Sequence, residues 1–420
     1  MKKILCIMLL ISFAVSLTGC WDYTEYEEMT QIYSLGIDLN RKSNEITLTL
    51  QYIPIVKSSG EKSMDINRGT VYSASGLTIV DALNKLQQVS PNKLFFGYLQ
   101  VILISEDAAQ CMMKDIIEHI ERTPSIRNSV GIIIVSGSAE GTIATRDPNS
   151  VISSGKKIRM LLNSAKNNGN TYSVTLHDFL QMMTNEGIEA VAPGIITTPP
   201  IRDSGSALGG AQKDIRFAVE KQGNIMTNGV AAFKKDKFVG WLNDRETLGL
   251  NWILGNTINV YEASNTDEAA ANDDMSKLPL NADVNKMLYF YITNSSSKIK
   301  ITIEDNKPAV YLKVKVEAAL RKYYSDAGNE YIDSSITDSI EEKLKRNIYA
   351  DIAAAIKRGK MELGVDIFQF GFNFYRQHPR EWHKNYEESW DKIFKNTPVN
   401  VNVEVKVINT GSNIKKFFIK

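Results

Sequence analysis

Apolar and polar positions alternate most cleanly near the C-terminal end. Val399, Val401, Val403, Val405 and Val407 are separated by polar residues. That period of two predicts a strand with one buried face. The same alternation at Ile46, Leu48, Leu50 and Tyr52 predicts another, after a first strand over Ile32 to Leu39. Ile336, Ile340, Leu344, Ile348, Ile352 and Ile356 recur about every fourth residue. This predicts a long amphipathic helix from Ser335 to Arg358, capped by Ser334 or Ser335. Thr78 to Val89, Glu106 to Arg122, Val151 to Lys166, Thr175 to Glu186 and Asp244 to Leu254 also read as helices. Leu94 to Ser105, Val130 to Ser136, Ala190 to Thr197, Gly229 to Lys234, Phe238 to Leu242, Lys286 to Thr293, Lys298 to Ile303 and Ala309 to Ala318 read as strands. Lys57 to Gly69 is a polar loop, and Thr266 to Asn285 is rich in Asn and Asp and expected to be mobile.

Strands and helices in this mixture predict an α+β multidomain protein, with mixed sheets and helices packed on them. Thr197 to Gln212 is rich in Pro, Gly and Ser and lacks periodicity, which predicts a linker over 197–212. It separates an N-terminal α+β domain, 20–196, which could form two subdomains, from a C-terminal α+β domain, 213–411. A basic tail, 412–420, follows.

Residues 1–19 form a unit of their own. Lys2 and Lys3 precede an apolar run from Ile4 to Leu17, and Leu17-Thr18-Gly19-Cys20 closes it. The run is too short to span a bilayer and suits a secretory signal. Small residues before a cysteine at this point are similar to a bacterial lipobox. The expectation is cleavage after Gly19 and attachment of the chain to the lipid bilayer through diacylglycerol on Cys20.

With 420 residues, the chain is long enough for two or three cores. Its 49 basic and 48 acidic residues nearly cancel, which argues against nucleic acid as a partner. Beyond the signal and Cys20, only Cys111 remains, expected as a small buried hydrophobe on a helix.

Catalytic chemistry is hard to find. Phosphate-binding loops, HExxH, GxSxG and EF-hand patterns are absent from the sequence. Ser153 with Lys156 and Ser59 with Lys62 match SxxK, but no KTG accompanies them. His378 and His383 are five apart, poor spacing for one helix face, so a shared metal is not expected. Acid pairs such as Glu27 with Glu28, or Glu387 with Glu388, read as solvated faces. Phe368, Phe370, Phe372, Phe374, Tyr375, Trp382 and Trp390 form an aromatic cluster, read as core rather than a stacking site.

Several motifs together resemble the Ger(x)C family, the lipoprotein C subunits of spore nutrient germinant receptors. They are Gly19-Cys20-Trp21-Asp22 with Glu25, and Gly36-Ile37-Asp38. Then come Gly229 to Phe233, Val239-Gly240-Trp241-Leu242, Glu246-Thr247 and Trp252. Near the end are Asp366-Ile367-Phe368, Phe370-Gly371, Arg376, His378-Pro379, Trp382, Trp390 and Thr410-Gly411. Gln369 departs from the pattern, standing where a glycine often appears. The resemblance implies a non-catalytic, lipid-anchored α+β protein on the outer face of the spore inner membrane. It implies membrane-embedded receptor subunits A and B as partners, no cofactor, no catalytic or metal residues, and lipidation of Cys20. Gly36-Ile37-Asp38 and Gly240-Trp241 are expected to serve the fold, with Trp241 largely buried. A lipid-anchored solute-binding protein of a transporter and a surface-anchored hydrolase remain as alternatives.

Overall fold

The computed structural model describes residues 28–52, 69–146, 152–165, 169–198, 215–217, 221–257, 259–265, 287–305, 307–322 and 334–409, with positions 4 and 167 besides. Its strands, in chain order, begin with β1 (Met29–Asn40), β2 (Glu45–Tyr52), β3 (Thr70–Gly76), β4 (Lys93–Phe95) and β5 (Val101–Ser105). Next come β6 (Gly131–Ser136), β7 (Thr145–Arg146), β8 (Val191–Thr198), β9 (Ile215–Phe217), β10 (Lys221–Gln222) and β11 (Asn224–Lys234). The last are β12 (Lys237–Leu242), β13 (Tyr261–Asn265), β14 (Met287–Glu304), β15 (Lys307–Lys322) and β16 (Val399–Asn409). With the helices between them they make the expected α+β fold.

Ten strands form one mixed sheet in the order β12-β11-β8-β6-β5-β1-β2-β3-β9, with β4 beside the start of β1. β1, β5, β6 and β8 run parallel to their neighbours in the centre, and antiparallel pairs flank them. β5 and β6 are apolar at all but their end positions because both faces are covered. Ile102, Ile104, Ile132 and Ile134 pack into the main core with helices Ile79–Val89 and Met113–Glu121. Val101, Leu103, Ile133 and Val135 face the opposite way, into a second core with helices Ala139–Ile143 and Ser154–Ala165.

Gly36-Ile37-Asp38 serves this sheet. The Asp38 carboxylate accepts the backbone N–H groups of Ala139 and Glu140, both at 2.8 Å, at the start of helix Ala139–Ile143. Gly36 lies under the same helix, where a Cβ would come within 2.8 Å of Ile143 Cδ1. The motif thus clamps a short helix to β1.

The second sheet has four strands, β13-β14-β15-β16. Its apolar face packs on helix Ser334–Ile356, whose Ile340, Leu344, Ile348 and Ile352 are all buried. Helix Asp244–Leu254 packs against that helix and approaches closely at Gly249, where a Cβ would overlap the Asp351 carbonyl. Arg245 Nε lies 3.1 Å from Asp351 Oδ1. Burial pushes the Asp351 carboxyl up to about 7, while Arg245 pulls it down.

Most of the predicted linker lies outside the described residues. The strands on its two sides pair with each other: Asn224 of β11 lies opposite Thr198 of β8. Strands from before and after the linker therefore share the large sheet.

Some boundaries differ from the sequence expectation. Leu94 to Ser105 is two strands, because β4 and β5 both pair with β1 and a turn separates them. Glu106 to Arg122 is two helices broken at Met112, whose φ of −141° is not helical. The break places Cys111 at a helix end, and its thiol is exposed rather than buried. The two strands expected within Lys286 to Ile303 are one, β14, because β15 pairs along its length and absorbs the polar centre with bulges. The long helix ends in a π turn, Lys357–Leu363, closed by Gly364 at φ 68°. Helix Ala139–Ile143 and strands β7, β9, β10 and β13 were not foreseen. Thr266 to Asn285, Ser59, Lys62, Glu27 and the side chains of Ser334 and Ser335 lie outside the described set, as does all of Lys57 to Gly69 except Gly69 itself.

Candidate functional site at the seam of the two halves

The aromatic stretch 366–394 packs against the loop that leaves helix Leu176–Thr184. Asp366 organises it. Its carboxylate is fully buried and accepts four N–H groups: Phe368 N at 3.2 Å, Phe370 N at 3.1 Å, Gly371 N at 2.6 Å and Trp390 Nε1 at 2.9 Å. Burial pushes the carboxyl up to about 6 against the pull of these donors. Trp382, Trp390, Phe370 and Phe374 are buried around it, as expected of core. Phe374 has Tyr386 at 4.8 Å and both tryptophans within 5.8 Å, centroid to centroid.

Contact with the N-terminal half runs backbone to backbone. Phe372 N donates to Gly187 O at 2.8 Å, and Glu189 N donates to Asp366 O at 3.0 Å. Gly187, at φ 69°, sits so near Gly371 that a Cβ there would overlap the Gly371 backbone. Two glycines facing each other permit this approach. Around them, Lys234 Nζ pairs with Asp391 Oδ2 at 3.3 Å, and Trp382 Nε1 donates to Glu186 Oε2 at 3.0 Å. Burial and Asp391 push the Glu189 carboxyl up to about 7, against the Lys235 N–H and Lys234.

Beside the seam is a cleft of about 210 Å³ lined by Tyr172, Asp178, Gln181, Asn185, Gln369 and Phe372, among others. Asp178 is engaged in the capping box with Thr175, and the wall offers amides rather than a nucleophile with its base.

Gln369 has φ 63° and ψ 27°, the left-handed region. The glycine that the resemblance leads one to expect at this position would therefore have a backbone reason, and glutamine is strained there by about 1 kcal/mol. Gln369→Gly should raise stability by roughly 0.5 kcal/mol, after the entropy a glycine loses on folding. Chemical denaturation would measure it; a loss of stability would mean that the side chain contributes more than the strain costs.

The other residues singled out by sequence fall as follows. Cys20 lies outside the described residues. Ser153 Oγ accepts Lys156 N at 3.3 Å, so the SxxK match is a turn opening helix Ser154–Ala165. His378 Nε2 is 3.1 Å from Ile301 O, while His383 faces solvent. Trp241 is only half-buried rather than largely buried, because its indole reaches outward: Nε1 donates to Glu106 Oε1 at 2.7 Å and the ring meets Phe238 edge-on. Its bonds are structural, as is Arg358 Nε donating to Trp241 O at 2.9 Å. Glu186 and the central role of Asp366 escaped the sequence reading. Asp366 left one signal, a lone carboxylate in the apolar run Val365-Asp366-Ile367-Phe368.

Similarity to known proteins covers both halves. Residues 22–197 match the family described as spore germination protein N-terminal domain, and residues 228–411 match spore germination B3/GerAC like, C-terminal. Spore germination protein KC of Bacillus subtilis (strain 168) is 24% identical over 424 residues, covering 98% of this chain and 96% of the relative. Spore germination protein B3 of the same organism is 23% identical, covering 95% and 96%. The crystal structure of the GerBC protein has the same fold, with a TM-score of 0.50 at 18% identity over 89% of this chain and 97% of that one. Matches on both sides of the seam, in the same order and over nearly the full length, place this chain in the Ger(x)C family of spore germination proteins.

Proposed function

We propose that the protein acts in spore germination as the non-catalytic C subunit of a nutrient germinant receptor, held at the membrane by lipid on Cys20. The observation that carries this reading is the family match over both halves. The lipobox at Leu17 to Cys20 supports the anchor. Among the described residues, no helix is long and apolar enough to cross a membrane. A chain held by one lipid site influences ion flow only by touching membrane-embedded subunits, which the family resemblance gives as A and B. The place is then the outer face of the spore inner membrane. The domain division at 197–212 is part of the same proposal: one family match ends at 197 and the other begins at 228, while β9, β11 and β12 reach back into the large sheet.

The architecture gives no support to the solute-binding alternative. A ten-stranded sheet built by strands from both sides of the linker stands beside a four-stranded sheet under a long helix, and these are not two similar lobes. Deleting the gene should abolish the response of spores to one set of nutrients. Spores should still form, and should still germinate with agents that bypass receptors. Intact nutrient responses together with lost uptake of a solute would replace this proposal with the transporter reading.

A further inference from the structure

Glu186, His383 and Glu387 converge at the outer rim of the seam, with one ligand atom from each lying within 4.8 Å of the others. His383 Nδ1 is 2.7 Å from Glu387 Oε2 and 4.0 Å from Glu186 Oε2. A tetrahedral zinc-type ion, with bonds of about 2.0–2.1 Å, holds its ligand atoms about 3.3 Å apart. The two observed separations bracket that spacing, so small side-chain rotations would close the set.

The ligands are also held in place by their neighbours. The buried Trp382 fixes Glu186 through its indole N–H. The His383 ring stands edge-on to Tyr375 at 5.4 Å, which orients it. Orientation of ligands by a surrounding shell is a regular feature of metal sites. Trp382 and His383 open a π turn, Trp382–Tyr386. Such turns are rare and concentrate at functional sites. Here the turn brings two adjacent residues, one buried and one exposed, to the same Glu186 carboxylate.

We propose that Glu186, His383 and Glu387 bind a first-row divalent cation of the zinc type, fastening the N-terminal half to the C-terminal half at the rim of the seam. One imidazole and two carboxylates suit zinc better than calcium or magnesium, which take oxygen ligands. All three side chains reach solvent, with relative exposures of 39–50%. An ion could therefore enter, and its fourth position would remain open to water or to a group from another protein.

The test uses the full mature chain in detergent with Cys111→Ser, which removes the exposed thiol as a competing ligand. Equilibrium dialysis against zinc chloride should show one saturable equivalent, and thermal unfolding should shift upward with zinc and not with magnesium. His383→Ala and Glu387→Gln should each weaken zinc binding at least tenfold. Glu186→Gln keeps an oxygen for the Trp382 indole and should weaken binding likewise. Dialysis reads binding directly, so it decides even if a variant alters the metal-free unfolding curve. No saturable binding, equal binding of magnesium, or zinc binding unchanged in the variants (an adventitious ion only) would overturn the proposal.

Discussion

Asp366→Ala should destabilise the protein by at least about 4 kcal/mol, since a buried donor left without its acceptor costs about 1–3 kcal/mol and several are affected. Four N–H groups lose their partner: Phe368 N, Phe370 N, Gly371 N and Trp390 Nε1. Three of them belong to the backbone and cannot turn away to water. The loss would spread to the contact with Gly187, because Gly371 and Phe372 are positioned by the same carboxylate. Equilibrium denaturation checks the magnitude; a loss under about 1 kcal/mol would remove Asp366 from its organising role. A second readout is pH. The carboxyl is raised in the fold from 3.8 to about 6, so the folded state takes up a proton before the unfolded chain does. Its contribution to stability is therefore fully present below about 4 and is lost as pH rises through about 6. Glu189 and Asp351, both near 7, act with the same sign. Wild-type unfolding midpoints should rise from pH 7.5 to pH 5 by more than those of Asp366→Ala. Equal slopes would mean that Asp366 does not titrate differently in the fold.

Cys20→Ala should release the protein from the membrane or leave it unprocessed with its signal attached. Diacylglycerol supplies two chains, each contributing about 0.8 kcal/mol per buried CH₂, and two chains give stable anchoring where one is marginal. Nothing of comparable size replaces them, since the three lysines of Asn413 to Lys420 add only about 1 kcal/mol each near an anionic surface. Fractionation of spore membranes, followed by mass measurement of the N-terminus, reads both outcomes. A variant still cleaved after Gly19 and still fully bound would refute lipidation at Cys20.

How far the fold could be read depended on how local each signal was. Helix Asp244–Leu254 has the predicted bounds because its start and stop are written in sequence: Asn243 and Glu246 form a capping box, and Gly255 closes the end at φ 72°. β16 was equally legible from its valines. Met112, by contrast, is a good helix former at a break imposed by packing, and nothing in AAQCMMKDIIEHI announces it. The seam was legible in part. Trp382 and Trp390 are core, as the burial tendency of large aromatics predicts. Its other side was hidden, because Glu186 meets Trp382 across 196 positions of chain. The spacing of His378 and His383 argues against a shared metal. The structure separates them, giving His378 to a backbone carbonyl and His383 to two glutamates.

The pairing of β8 with β11 has a consequence for the order in which the protein is made. β8 ends at Thr198 and its partner begins at Asn224, so synthesis delivers β8 first, with one edge bare. Until the hairpin of β11 and β12 arrives, that edge is open to any other strand in reach, the condition under which chains aggregate or exchange segments. The 25 residues between Thr198 and Asn224 set the length of this exposure. A short connection keeps the vulnerable interval brief, whereas an inserted segment here would lengthen it and lower the yield of correctly assembled protein without touching a single contact of the finished fold.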